Sequence, residues 1–249
     1  MLPHIDLTFD EQVAIVTFYH PQKNSFTSKQ LKDLSDTFDK LSTNQDITVV
    51  LLKSEGDIFC SGASFDELIE IVNNEKSKVF FSGFGRLLNS MKNCKKTIIT
   101  AVQGKAVGGG VGIICASDYV IGVENAAIKL SELSIGFGPY VIEPFVSKKI
   151  GKQNSYHVTL NPNTWFNAKW CGLNHVFNEI VESSCLLEKS LFKAKELSLY
   201  NHKSLEKLKD IYWEDLSQYD KLYPNRANIS GELILSPKVK KVLENFKKK

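Results

Sequence analysis

No apolar run in this 249-residue chain reaches the roughly 18 residues that a membrane-crossing helix needs. Its first residues, MLPHIDLTFDEQ, also lack the basic-then-apolar order of a secretory leader. The expectation is a cytoplasmic protein with no membrane partner. An excess of one charge is missing too: 31 basic and 28 acidic residues leave a formal +3. That imbalance is too mild to argue for nucleic-acid binding. The five cysteines (Cys60, Cys94, Cys115, Cys171, Cys185) are odd in number and never spaced as CxxC or CxxxxC. They read as buried free thiols in a reducing compartment. His20, His157, His175 and His202 are scattered without ligand spacing, so no metal site is expected. Two catalytic patterns are absent as well, the GxxxxGK[ST] phosphate loop and the GxSxG nucleophile elbow.

What is present is enough apolar material, 43% of residues, for a sizeable core. Val13 to Phe18, Ile47 to Leu52, Ile98 to Val102 and Tyr119 to Gly122 are short, β-branched apolar runs that read as strands. The runs at 47–52 and 98–102 have no polar alternation, as expected of strands covered on both faces. Between them, Thr27 suits a helix N-cap. Leu31, Leu34, Phe38 and Leu41 after it recur at spacings of three and four, one apolar helix face. Strands alternating with helices imply βαβ units and a mostly parallel sheet. Beyond residue 139 the pattern becomes mainly helical, with amphipathic stretches at 186–200 and 204–213 and a basic helical tail. The expected organisation is an α/β core over 1–180 and a C-terminal helical region over 181–249.

Two small-residue segments stand out. Phe59-Cys60-Ser61-Gly62-Ala63-Ser64-Phe65-Asp66 follows a buried strand and a turn. Gln103-Gly104-Lys105-Ala106-Val107-Gly108-Gly109-Gly110 follows the strand at 98–102 and precedes an apolar stretch. Consecutive glycines before a helix let a ligand approach the backbone and meet unpaired N–H groups. The glycine run does not match the dinucleotide fingerprint GxGxxG. By itself it leaves a purely structural turn open.

Both segments resemble the signature loops of the enoyl-CoA hydratase/isomerase (crotonase) superfamily. His20-Pro21-x-x-Asn24-Ser25, Ser131-Glu132-Leu133-Ser134-Ile135-Gly136 and Ala168-x-x-x-Gly172-Leu173-Asn174-His175-Val176 resemble further segments of that family in the right order. The resemblance implies a crotonase-like ββα superhelix with a C-terminal helical region. It also implies an acyl-CoA thioester as substrate, with coenzyme A entering as part of that substrate and no covalently bound cofactor. A homotrimer or dimer of trimers is the implied assembly. One N–H from each loop, Ala63 and Gly109, would form an oxyanion hole for a thioester enolate, since two preorganised dipoles lower the barrier to carbanion formation. Ser61, Gly62, Ser64, Phe65, Asp66, Gly108 and Tyr140 would contact the substrate, with 63–66 near the adenine end. Lys240, Lys241 and Lys247–Lys249 read as a solvated tail or as a helper of phosphate binding.

Hydratases of this family carry two glutamates, the first just after the glycine run. Here that position is Gly112, and only the second glutamate has a counterpart, Glu132. A single carboxylate can take a proton from one carbon and return it to another, which is double-bond isomerisation. The pattern leans towards isomerisation over hydration, with thioester hydrolysis or C–C cleavage, a non-catalytic acyl-CoA-binding member and an RNA-binding role as further readings. Pro139 suits the first turn of a following helix. Tyr140 and Glu143 would then project towards the acyl pocket, with Glu143 either a replacement for the missing acid or a first-turn residue favoured by the helix dipole. Phe80, Phe81, Phe84 and Leu87 are either pocket wall or core.

Overall fold

The apolar runs become the centre of one sheet in a computed structural model that describes residues 1–71 and 73–247, with side chains to residue 245. Along the chain come β1 (His4–Asp10), β2 (Val13–Tyr19), α1 (Ser28–Thr43), β3 (Val49–Ser54), β4 (Ile58–Cys60), α2 (Phe65–Glu70), α3 (Asn74–Asn93), β5 (Thr97–Val102) and β6 (Lys105–Val107). Then follow α4 (Gly109–Cys115), β7 (Tyr119–Val123), β8 (Ala127–Lys129), α5 (Glu132–Ile135), α6 (Glu143–Leu160), β9 (Phe166–Asn167), α7 (Ala168–Leu173) and β10 (Glu179–Val181). After β10 the regular elements are helical, chiefly α8 (Leu186–Ser198), α9 (His202–Tyr212), α10 (Tyr219–Ile234) and α11 (Pro237–Lys247). Among the described residues no helix is long and apolar enough to cross a membrane.

The larger sheet has six strands in the order β1-β2-β3-β5-β7-β10, antiparallel only at the β1–β2 hairpin. A smaller sheet, β4-β6-β8-β9, takes its first three strands from the segments that follow β3, β5 and β7. Strand–strand–helix is therefore the repeating unit, and β3, β5 and β7 each hand the chain to the second layer. Val49 to Leu52 and Ile98 to Ile99 are fully enclosed, which explains their lack of polar alternation. Thr27 caps α1 by accepting from Gln30 N, and Leu31, Leu34, Phe38 and Leu41 face the core.

The C-terminal helices pack back onto the same chain. Helix α10 lies along α3. Gly85 makes that approach possible, because a Cβ there would stand 2.3 Å from the Tyr223 ring. Helix α11 lies against α2 and α5. Helix α9 is pinned from below: Lys209 Nζ reaches Asp118 Oδ2 at 2.8 Å, and Trp213 Nε1 reaches Asp118 Oδ1 at 3.1 Å. Asp118 Oδ2 also accepts from Ile98 N at 2.8 Å, so the buried charge is paired and hydrogen-bonded.

The structure corrects one expectation here. Pro139 does not open a helix. It sits in an irregular segment, and α6 begins at Glu143 with Pro144 in its first turn. The proline that suits a helix start is thus the second of the pair, where no intrahelical N–H is lost. Of the basic tail, Lys240 and Lys241 are exposed on α11, whereas Lys248 and Lys249 lie outside the described residues.

Candidate active site

The two signature loops meet because their flanking strands, β4 and β6, are neighbours in the smaller sheet. Side chains outside the loops hold them there. Asn24 Nδ2 donates to the carbonyls of Glu55 at 2.7 Å and Ile58 at 2.8 Å. Gln103 Nε2 donates to Ser54 Oγ at 2.7 Å and to Gly56 O at 3.1 Å. Both braces act on the turn that launches β4. Gly104 is required by contact, since a Cβ there would fall 2.0 Å from Asp57 O.

The first loop then runs beside Phe26. Phe26 N donates to Gly62 O at 2.8 Å, and Ser64 N donates to Phe26 O at 2.9 Å. The Ala63 amide between them faces the opposite way, by strand alternation. Gly62 N donates to Cys60 Sγ at 3.2 Å, which leaves Ala63 as the free donor. In the second loop Gly108 has φ +52°, a conformation that suits glycine. Its carbonyl accepts from Val111 N at 2.8 Å and Gly112 N at 3.1 Å, and so opens α4. Neither Ala63 N nor Gly109 N has a hydrogen-bond acceptor among the described residues. The loops touch: a Cβ on Gly62 would stand 3.1 Å from Val107 O and 3.8 Å from Gly109 N.

Glu132 completes this arrangement. Gly108 N donates to Lys129 O at 2.9 Å, which draws the glycine loop onto β8 just ahead of Glu132. A Cβ on Gly108 would stand 2.7 Å from Glu132 Oε1, so the carboxyl rests on the glycine backbone. The residue as a whole is half-buried, but Oε2 is closed off from solvent and has no hydrogen-bond partner among the described residues. Burial without a counter-charge disfavours the anion and pushes the carboxyl from 4.5 up to about 7. Such a group is a base at neutral pH and a competent acid once protonated.

A cavity opens between Glu132 and the two amides. Ser61, Gly62, Ala63, Phe65, Gly108, Gly109 and Tyr140 all line it. Ser64 and Asp66 stand outside this lining. Ser64 caps α2, with its oxygen accepting from Glu67 N. Asp66 accepts from Gln22 Nε2 at 2.5 Å. Phe81 and Phe84 are wall, while Phe80 and Leu87 are core. Glu143 turns away from the cavity to Arg226 Nη1, 2.5 Å, and also accepts from Ser147. The guanidinium and the hydroxyl hold its carboxyl below the usual range despite burial.

A further contact lies above α4. A Cβ on Gly112 would stand 2.7 Å from Ile142 Cγ2 and 2.9 Å from Ile142 Cβ. Ile142 is 4% exposed and lines the cavity. An isoleucine therefore fills the space into which a side chain from position 112 would grow. Sequence reasoning missed Ile142, because its partner is thirty residues away in the chain and no local period links them. Asn24 and Gln103 carried a signal only as members of motifs; their bracing role appears with the turn they hold.

A sequence-family model described as enoyl-CoA hydratase/isomerase matches residues 8–249. The chain belongs to the enoyl-CoA hydratase/isomerase family. It is 29% identical over 198 residues to the bacillaene synthase dehydratase PksH of Bacillus subtilis (strain 168), covering 78% of this chain and 75% of that protein. It is 31% identical over 135 residues to a probable enoyl-CoA hydratase of the same strain, covering 54% of this chain and 52% of that one, so it aligns with only about half of the second relative. A crystal structure of an enoyl-CoA hydratase from Mycobacterium avium subsp. paratuberculosis K-10 superposes with a TM-score of 0.86 at 22% identity, covering 98% of this chain and 95% of that one. The fold is thus the crotonase fold, mixed α/β with a C-terminal helical region.

Proposed function

We propose that this family member moves the double bond of an enoyl-CoA thioester, using Glu132 as the only proton-transfer group. The observation that carries the reading is the Gly112–Ile142 contact. Position 112 bears no acid, and the space beside it is filled with a hydrocarbon side chain. In this reading the thioester carbonyl oxygen sits between Ala63 N–H and Gly109 N–H. Glu132 removes the C2 proton of a 3-enoyl thioester. The electron pair spreads over the dienolate, whose oxygen the two amides stabilise. Glu132 then returns the proton to C4, and the double bond comes to rest between C2 and C3. A carboxyl near 7 serves both steps, because neither protonation state is far from neutral pH. Ile142, Val141 and Phe137 on the cavity wall support the exclusion of a second, activated water.

Self-association into trimers belongs to the same reading, supported by exposed apolar side chains on α8 and α9 such as Phe192, Leu208 and Ile211. A second reading, hydration or its reverse, draws on the similarity to a protein named a dehydratase. It requires Glu132 to act with a single water.

The deciding experiment is mass spectrometry in deuterated water, with 2-enoyl and 3-enoyl CoA thioesters and with Glu132→Gln beside the wild type. Bond migration or deuterium entry at C2 and C4, lost in the variant, is the expected result. A gain of one water mass would replace isomerisation with hydration. Binding of thioesters with no change in any of them would point to a non-catalytic member.

A further inference from the structure

The segment Gly138–Tyr140 is a partition between two cavities. On one side is the cavity above Glu132, which is narrow at about 60 Å³, room for roughly four waters. On the other side is a groove of about 700 Å³, also lined by Gly138, Pro139 and Tyr140. Its far walls carry Leu133, Tyr156, Leu160 and Ile229, all exposed apolar side chains at 39%, 63%, 53% and 43%. Arg226 lies there too, already paired with Glu143.

The partition is hydrogen-bonded through its backbone and held by packing through its tyrosine ring. Arg226 Nη1 donates to Tyr140 O at 3.0 Å, and Tyr219 Oη donates to Val141 O at 2.9 Å. Helix α10 thus fixes the main chain from behind. The Tyr140 ring itself packs against Gly138, where a Cβ would stand 2.7 Å from Tyr140 Cε1. Among the described residues its hydroxyl makes no hydrogen bond that would hold the ring in place. Packing alone therefore fixes the half-buried ring, and a change of its rotamer breaks no hydrogen bond among the described residues.

We infer that Tyr140 is a side-chain gate between the reaction cavity and the adjoining apolar groove, and that the groove receives the tail of medium- and long-chain acyl thioesters. The inference rests on the acyl-CoA reading above and goes beyond it in naming chain length as the property selected. Continuity argues for this occupant. The groove shares three wall residues with the reaction cavity, its accessible lining is mostly hydrocarbon, and of its two cations Arg226 is neutralised by Glu143 while Lys152 is exposed. Short acyl groups fit with the gate shut, and longer ones need the ring turned aside.

Calorimetric titration with the saturated thioesters butanoyl-, octanoyl- and dodecanoyl-CoA tests this without turnover. The proteins are wild type, Tyr140→Phe, Tyr140→Ala and Leu160→Asp, the last placing a charge on an exposed position of the groove. Each methylene that reaches the groove should tighten binding about fourfold, the equivalent of ~0.8 kcal/mol. Tyr140→Ala should raise the ratio of dodecanoyl-CoA to butanoyl-CoA affinity tenfold or more, and Tyr140→Phe should keep the wild-type ratio. Leu160→Asp should weaken dodecanoyl-CoA at least tenfold and spare butanoyl-CoA. Dodecanoyl-CoA binding indifferent to Leu160→Asp, or equal loss for all chain lengths in Tyr140→Ala, would overturn the gate and leave the isomerase reading standing. Normal chain-length discrimination without any turnover of enoyl thioesters would overturn the isomerase reading alone. No binding of any thioester would overturn both.

Discussion

Replacing Glu132 with glutamine should remove a loss of stability that the wild type suffers between pH 5 and pH 8, while abolishing turnover. The carboxyl is held near 7 in the folded chain against an ordinary 4.5. Between those values the folded state keeps a proton that the unfolded state has lost. Folding stability therefore falls as pH rises from about 4.5 to 7 and levels off above that, the reverse of a salt-bridged acid. At ~1.4 kcal/mol per pH unit, the interval amounts to about 3 kcal/mol at pH 8 and to under 1 kcal/mol at pH 5. Glutamine carries no charge to desolvate, so the variant lacks this pH-dependent cost. Its buried amide imposes a penalty of its own, but that penalty is constant across the range. The readout is consequently the difference between two differences. Urea unfolding of both proteins at pH 5 and pH 8 should show the stability gap shifting by about 2 to 3 kcal/mol in favour of the variant. A gap that does not move with pH would show that Glu132 ionises as a solvated carboxylate does. That result would remove the physical basis for its dual role as base and acid.

The same carboxyl shapes the rate profile. Because the first step needs the ionised form, kcat/KM for a 3-enoyl thioester should fall about tenfold per pH unit below 7 and flatten above it; a flat profile down to pH 5 would contradict the assignment. Installing the missing acid alone should fail. Gly112→Glu places a Cβ 2.7 Å from Ile142 Cγ2, and such overpacking costs about 1 to 3 kcal/mol. A thermal melt should drop and no hydration should appear, whereas Gly112→Glu with Ile142→Gly should recover part of the melting temperature. Full stability of the single variant would show that the wall yields.

Much of the main sheet is legible in the chain. Strands covered on both faces are mostly apolar without alternation, so β2, β3, β5 and β7 announce themselves as short, largely apolar runs, with Thr17 and Thr100 as buried exceptions. Helix α1 is equally legible, because its cap at Thr27 and its apolar face are local features. The smaller sheet is not. Strands of two or three residues such as β4, β6 and β9 have too few positions to show a period, and they exist because neighbouring segments complete their hydrogen bonds. The start of α6 is misplaced by the same logic: two prolines, Pro139 and Pro144, both suit a first turn locally. Contacts from α10 to Tyr140 O and Val141 O hold the earlier one out of the helix.

The sequence alone determines that small residues recur after two strands, that one acid follows the glycine run, and that position 112 lacks another. Those are statements about which groups are present. Where they point is a matter of tertiary structure. Glu132 becomes an unusual acid only because folding strips water from Oε2 and supplies no partner. Glu143 becomes a firmly ionised partner of Arg226, eighty-three residues later, which turns it aside. Ile142 comes to fill the gap beside Gly112, and Tyr140 to stand between two cavities, through packing across long separations. A desolvated charge, a filled gap and a shared wall are relations between segments, and they arise only when the chain closes on itself.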